Sequence, residues 1–447
     1  MRRRASPGAC FAVPNFHGAV YSVQRKTPGP RPTLYNERMP GDLKLSRIAA
    51  LRPRAEVVKR SDTAAKEERH ARLARLLGAE LRSTPHGRHI AVTSRFPSPG
   101  VCEVGPRAQR LLAPHSGSEV ADPNRWIFLD TETTGLSGGT GTYAFLVGVA
   151  WWEEDSFVVE QLFMRDHSEE ASLLLDLSQR LAERPVLVTF NGKSFDWPLL
   201  ETRYRMTRAA VVENPSAHLD LLHPARQLWR FRLKSVALVE LERHVLQLDR
   251  GPDIPSHTIP GRYFDFLRGG PEEPIVEIFR HNQRDLCGLA ALAARITRLI
   301  EEPGNRDGDA GEVFGVSRML QRRGEELLAK EGYQRALSYG LPQEADLIAR
   351  RELALLTKRL GDFTRANELW ETLLGDSIAG IQAYEQVAMY YEHRKHDLQR
   401  ALALAREALV RLREDHLAGR LDANQYRRWH DAFRRRLSRL ERQLQPK

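Results

Sequence analysis

Three short stretches of the chain place acidic side chains where they could do chemistry. In WIFLDTETTGL, Asp130 and Glu132 close an apolar run. Strand side chains alternate, so residues i and i+2 share a face. Two carboxylates pressed together there repel each other and weaken the strand unless a cation neutralises them. The other reading is a pair of solvated acids at a strand end. In TFNGKSFDWPLL, Asn191, Phe195 and Asp196 follow a second apolar run, at a strand–helix junction. Alone, Asp196 reads as a helix N-cap. In FRHNQRDLCGL, His281 and Asp285 stand at i and i+4 and share one helical face. Alone, that pair is a surface feature.

The elements that must carry these residues can be read around them. Trp126–Leu129, Tyr143–Trp152 and Phe157–Met164 read as three consecutive strands. A helix over about 168–184 follows, then an apolar strand Val186–Phe190. Next come a helix near Pro198–Thr207, a strand at His218–Leu222 and a late helix from about Pro274 to Ile300. This order predicts a mixed sheet with helices on both faces. Upstream, residues 62–82 predict an amphipathic helix with Leu73, Leu76, Leu77 and Leu81 on one side. His89–Val92 predicts a short strand, and Pro97–Asn124 a linker or irregular cover.

Past residues 301–311, rich in Gly and Asp, everything reads as helix. Leu355, Asp362, Ala366, Leu369 and Leu374 recur 35 residues later as Tyr390, Asp397, Ala401, Leu404 and Leu409. That offset is close to the tetratricopeptide period of about 34. In the last helix Tyr426, Trp429, Phe433, Leu437, Leu440 and Leu444 form a stripe expected to pack on the preceding repeat. The seven arginines between 427 and 442 read there as a solvated face.

Composition narrows the class. The 447 residues, 41% hydrophobic, suffice for two or three units of about 150 residues. The longest apolar run, Tyr143–Trp152, is half the about 20 residues a membrane-spanning helix needs, so a soluble protein is expected. Cys10, Cys102 and Cys287 lie far apart without any CxxC pair. That excludes a disulfide framework, argues against a cysteine zinc site and fits a reducing, cytoplasmic setting. The net charge of +10 sits entirely in residues 1–60, which hold 13 Lys/Arg and 3 Asp/Glu; the rest carries 55 of each sign. The basic balance therefore describes a tail and is no evidence for a positive folded surface. Arg2, Arg3, Arg4 and scattered prolines predict no fixed fold for it. A transit peptide, a nucleic-acid-binding arm and a natural start at Met39 are further readings. No apolar stretch follows the arginines, which argues against a signal peptide.

Taken together, DxE, NxxxFD and HxxxD on strand, junction and helix resemble the DEDD exonuclease superfamily. The phrase DTETTGLSGGTGTYAFLVG and the helices after it resemble its bacterial YprB-like group. The resemblance covers about residues 125–300 well, 315–410 loosely, and little before residue 120. It implies an α/β fold, a ribonuclease-H-like mixed sheet of a three-strand meander plus alternating α/β, followed by an all-α tetratricopeptide-like region. The expected division is a basic tail (1–60), an extension (61–124), the nuclease domain (125–300), a linker (301–314) and the helical domain (315–447).

The same resemblance implies that Asp130, Glu132, Asp196 and Asp285 hold two magnesium or manganese ions. Hard cations of this kind take oxygen ligands and make clustered carboxylates tolerable. It also implies that His281 takes the proton from the attacking water. Three residues separate His281 from Asp285, the spacing of superfamily members with a catalytic tyrosine; those with histidine usually have four. A supporting or phosphate-contacting role is the other reading of His281. Thr133, Gly135, Asn191, Lys193 and Phe195 are the expected substrate contacts, with a solvated lysine the other reading of Lys193. Gly in the Ser137–Gly141 loop serves either close approach to a nucleotide or a tight turn. Asp220 reads as a buried hydrogen-bonded or supporting acid. Of Tyr263 and Phe264, one is expected in the core and the other is a base-stacking candidate.

The implied activity is 3′–5′ exonuclease cleavage of single-stranded DNA or RNA ends to nucleoside 5′-monophosphates. The competing reading is a non-catalytic nucleic-acid-binding scaffold whose repeats recruit a protein partner. An endonuclease resembling ribonuclease H is a third, against which the HxxxD ending speaks. No membrane contact is expected.

Overall fold

The computed structural model describes residues 60–100, 103–135, 140–154, 156–208, 214–302, 309–376 and 380–445. The readings of residues 1–59, of Cys102 and of Ser137–Gly139 lie outside these. The described chain opens with α1 (Arg60–Leu77), β1 (Glu80–Thr84), β2 (Gly87–Pro97) and α2 (Pro106–Leu112). The meander follows as β3 (Trp126–Thr133), β4 (Ala144–Glu153) and β5 (Ser156–Phe163). Then α3 (Glu170–Glu183), β6 (Val186–Thr189), α4 (Asp196–Thr207), β7 (Ala217–Asp220) and α5 (Leu222–Trp229) alternate. A short α6 (Leu238–Leu241) runs into a π-helical turn, Glu242–Leu246, before α7 (Ile259–Leu267) and the long α8 (Glu273–Glu301). The rest is helical: α9 (Ala310–Arg322), α10 (Glu326–Tyr339), α11 (Gln343–Arg359), α12 (Phe363–Glu371), α13 (Gly380–Tyr390), α14 (Leu398–Leu417) and α15 (Ala423–Leu444).

The strands form one seven-stranded mixed sheet in the order β1-β2-β5-β4-β3-β6-β7. From β1 to β3 neighbours are antiparallel, whereas β6 and β7 continue parallel to β3. β3 is thus the strand at which an antiparallel meander meets parallel βα units. Of β4, only Glu153 is exposed. Helices cover both faces of the central strands, and burial on both faces is why they read as unbroken apolar runs rather than alternating ones. Trp126, Phe128, Val188 and Leu219 pack on one face with Leu286, Leu289 and Phe314. Ile127, Leu129, Val147 and Leu187 pack on the other with α3, α4 and α7. Each large side chain so buried contributes about 1.5–3 kcal/mol.

The first of these cores continues through Phe314, Tyr333 and Trp370 into the C-terminal helices. A buried polar tie reinforces the junction: Trp229 Nε1 donates to Glu312 Oε1 (2.8 Å), and Arg295 pairs with the same carboxylate (2.7 Å). Asp362 and Asp397, related by the 35-residue offset, both cap helices by accepting N–H groups three residues on. α11–α12 and α13–α14 are thereby two helix pairs built alike.

Residues 62–82 do not form one helix. Gly78, at φ +61°, ends α1, and Leu81 lies in β1, 43% exposed. Of the four leucines named for that face only Leu73 is fully buried. Pairing of β1 and β2 wins over helical period, because backbone hydrogen bonds to an existing sheet outweigh weak local propensity. β2 runs to Pro97 and pairs with β5, so the sheet takes two strands from the stretch read as an extension. α2 lies within the stretch read as irregular, with Ala108 and Leu111 buried.

Candidate functional site

Asp130 and Glu132 sit where β3 runs out of the sheet, on one face of the strand. The register to β4 shifts between Glu132 and Thr133, a bulge that re-aims the strand end. Burial first, and then the charges of Asp285, Glu132 and Asp196, push Asp130 well above the usual carboxylate range. Burial and the charges of Asp285, Asp196 and Asp253 do the same to Glu132. Asp196 opens α4 and is pushed up to about 6 by burial, against the hydrogen bond it accepts from Thr131 Oγ1 at 2.5 Å. Asp196 is no N-cap: it is the first helical residue, and Phe195 takes the cap position.

The turn before Asp196 is fixed from below. Asp220 is buried and accepts the N–H groups of Asn191 (2.7 Å), Lys193 (3.2 Å) and Leu222 (3.1 Å). Asn191 can therefore hold φ +68°, a left-handed conformation Asn tolerates better than most residues. Asp220 is the buried, hydrogen-bonded acid of the sequence reading.

α8 supplies the other side. Asn282, fully buried, donates Nδ2 to Asp130 Oδ2 (2.8 Å), while its Oδ1 accepts from Gln161 Nε2 (2.8 Å). One residue earlier, His281 is 6% exposed, with Nε2 4.0 Å from Glu132 Oε1 and 3.5 Å from Asp285 Oδ2. The chain between the π-helical turn and α7 closes over this end. Asp253 accepts a hydrogen bond from His281 Nδ1 at 3.0 Å. Since a carboxylate can only accept, Nδ1 carries a hydrogen, while Nε2 faces the acids and lies 3.5 Å from Ser256 Oγ. Burial opposes the charge on Asp253, but hydrogen bonds from His281, Ile254 N and Arg250 hold its pKa below the ordinary value. Arg250 reaches Asp285 Oδ1 (2.5 Å), Asp253 Oδ2 (3.2 Å) and Glu242. Glu242 fits beneath α8 only because residue 288 is glycine; a Cβ there would lie 1.6 Å from Glu242 Oε1.

Beside Asp196 opens a cleft of about 620 Å³, lined among others by Thr131, Thr133, Gly135, Asn191, Phe195 and Asp196. Thr133 Oγ1 donates to Gly135 O at 2.8 Å, and Phe195 is 55% exposed. Lys193 is exposed and is not among the cleft residues. Tyr263 is buried and stacked on Phe145 at 3.9 Å, whereas Phe264 remains 36% exposed.

A family model for the RNase_H superfamily matches residues 127–297, from β3 to the end of this cluster. The YprB protein of Bacillus subtilis (strain 168) is 30% identical over 289 residues, 64% of this chain and 69% of its own length. The chain belongs to the ribonuclease H superfamily.

Nucleases of the superfamily generally use divalent metal ions, and the donor chemistry fits such ions. Four carboxylates supply only oxygen, and three have pKa values raised by burial and mutual repulsion, which is the charge a hard cation relieves. Among the described residues no three His, Cys, Asp or Glu are arranged so as to hold a metal together. Protein partners take their place: Asn282 for Asp130, Thr131 for Asp196 and Arg250 for Asp285. Sequence reading missed Arg250, Asp253, Asn282 and Glu242. Asn282 was legible as the neighbour of His281 in HNQRD; the loop pair Arg250 and Asp253 carries no periodicity that would place it here.

Proposed function

We propose that the protein is a metal-dependent 3′–5′ exonuclease of the DEDD type, acting on single-stranded DNA or RNA ends and releasing nucleoside 5′-monophosphates. The observation that carries the reading is the gathering of Glu132, Asp196 and Asp285 close enough to Asp130 for their charges to act on it, with His281 Nε2 facing Glu132 and Asp285. The four carboxylates would hold the ions. When bound, two magnesium or manganese ions would polarise the scissile phosphate and make its attacking water more acidic.

The residues of the chain do the remaining work. His281 accepts the water proton at Nε2 as the water oxygen bonds to phosphorus and the bond to the 3′ oxygen breaks. That oxygen leaves with a proton from solvent. Asp253 keeps the imidazole in the accepting tautomer and stabilises the charge it gains. The threonine-rich cleft receives the terminal nucleotide, with Phe195 as a face for its base and the exposed Lys193 for a phosphate. Residues 125–300 form the nuclease unit in this reading, and the tetratricopeptide-like helices of 315–447 offer a surface for a protein partner.

The Arg250–Asp285 pair favours one competing reading, a nucleic-acid-binding scaffold whose acids are neutralised internally. Full-length protein incubated with 5′-labelled single-stranded DNA and RNA, with manganese, magnesium or EDTA, separates the two. The nuclease reading expects a ladder shortening from the 3′ end, lost in EDTA. Binding without cleavage under any metal contradicts it, and internal cuts under a blocked 3′ end contradict the exonuclease assignment.

A further inference from the structure

A polyanion must be drawn to a site that is itself strongly acidic, and the arginines that pair with its acids are already committed. Arg250 is shared among Glu242, Asp253 and Asp285, and Arg284 pairs with Asp253. Residues 61–447 net to zero charge, so any positive surface must come from local segregation. α15 has such segregation. Its 22 residues hold seven arginines against Asp431 and Glu441. Arg436 and Arg439 are consumed by Glu392, and Glu441 by Arg406. The other five, Arg427, Arg428, Arg434, Arg435 and Arg442, are exposed and make no ion pair among the described residues.

Their spacing makes a line rather than a scatter. Arg427 and Arg434 lie seven residues apart, as do Arg428, Arg435 and Arg442, giving two adjacent rows along one side of the helix. At 1.5 Å per residue the rows run about 22 Å. The opposite side is the packing face, with Phe433 2% exposed and Leu440 fully buried. A solvated helix face usually mixes signs at i, i+4, which stabilises the helix by a few tenths of a kcal/mol per pair. Here only Asp431 lies between the rows, against five arginines without an ion pair among the described residues. Such a row repels itself, and a linear polyanion relieves that repulsion by neutralising it.

We propose that the arginine rows of α15 bind the phosphate backbone of the nucleic-acid strand whose end is cleaved. The inference rests on the nuclease reading and adds where the strand beyond the cleft is held. Backbone contacts by arginine are independent of base sequence, so the surface raises affinity for long strands without selecting among them. It also steers substrate toward a molecule whose catalytic cluster would repel it.

The test compares full-length wild type with R427Q/R428Q/R434Q/R435Q/R442Q, whose helicity and Tm are checked first. Fluorescence anisotropy in EDTA measures binding of a 5′-labelled single strand of about 40 nucleotides, several times the about 4–16 that one single-strand-binding fold covers. Loss of about five phosphate contacts should weaken binding at least about tenfold and flatten the slope of log affinity against log salt by about 3.5. Cleavage of a trinucleotide, which offers no strand beyond the cleft, should be unchanged in the same variant. Equal affinity and equal salt slope for both proteins would overturn the proposal while leaving the nuclease reading intact. Wild type that neither cleaves nor binds any oligomer overturns the nuclease reading and this one with it. Polyglutamate binding as tightly as the oligomer at equal salt would assign the rows to an acidic protein partner instead, and also overturns it. Should the fivefold variant unfold, R428Q/R435Q alone must still weaken long-strand binding in proportion, or the inference fails.

Discussion

Two histidine–aspartate pairs of nearly the same length stand in different parts of the molecule. His89 on β2 is fully buried, with Nδ1 2.9 Å from Ser172 Oγ and Nε2 3.0 Å from Asp176 Oδ2. Ser, His and Asp in contact look like a catalytic set, but both ring nitrogens are engaged and no water can reach them. Arg82 answers Asp176 (2.7 Å) and Glu160 (2.9 Å), and Arg180 answers Glu160 again (2.7 Å). His281 has its aspartate at 3.0 Å too, yet its second nitrogen faces Glu132 and Asp285, and burial and repulsion push Asp130 and Glu132 above the usual carboxylate range. Residue identity and spacing do not separate the pairs. Buried acids without an arginine partner among the described residues, Asp130 and Glu132 beside His281, do.

The largest effect should come from the acids of that cluster. Asp130→Asn or Asp285→Asn should lower cleavage by more than about 10³-fold, equivalent to about 4 kcal/mol of transition-state stabilisation. Asp176→Asn should leave kcat unchanged for the folded fraction. Next in size are the histidines. His281→Ala should lower kcat by about 10²–10⁴-fold with little change in Tm, as expected of a lost general base. His89→Ala should do the reverse, costing about 1–3 kcal/mol of stability for stranded buried partners with kcat per folded molecule intact. Equal loss of activity in both variants would erase the distinction drawn above. Asp253→Asn should lower kcat by about 10–10²-fold, less than loss of His281 itself, and leave KM nearly unchanged.

The smallest effect concerns a third imidazole. His218 contacts Thr189 Oγ1 at 2.8 Å, and burial, then Lys193, lower its pKa to about 4 against an opposing pull from Asp220. Its folded pKa lies below the unfolded value of about 6.5, so the unfolded chain binds more protons between them. The stability it contributes is therefore present above about pH 6.5 and is lost as pH falls toward 4. His218→Gln should flatten the decline of Tm over that window, and an unaltered decline would remove His218 as its source.

The contrast also explains what was legible in the sequence. The apolar runs that became β3, β4 and β6 announce themselves because both faces of the sheet are buried, and Asp130, Glu132 and Asp196 stand out as acids at their ends. His281 and Asp285 are found by helical spacing. Arg250 and Asp253 were not, since a loop has no period and only the folded chain brings residue 253 to residue 281. His89–Val92 was read as a strand and lies in β2, but β1 was not found: an exposed leucine at position 81 satisfies a helical pattern as well as an edge strand, and only pairing with β2 decides. The sealed pair at His89 was invisible for the same reason.

Manganese binding tests the central claim without relying on turnover. Electron paramagnetic resonance titration of Mn²⁺ into wild type, Asp130→Asn and Asp176→Asn protein asks which acidic cluster takes the cation. The account predicts that wild type and Asp176→Asn bind alike and that Asp130→Asn loses the tight binding. Indifference of Mn²⁺ to Asp130, or tight binding that depends on Asp176 instead, would contradict it.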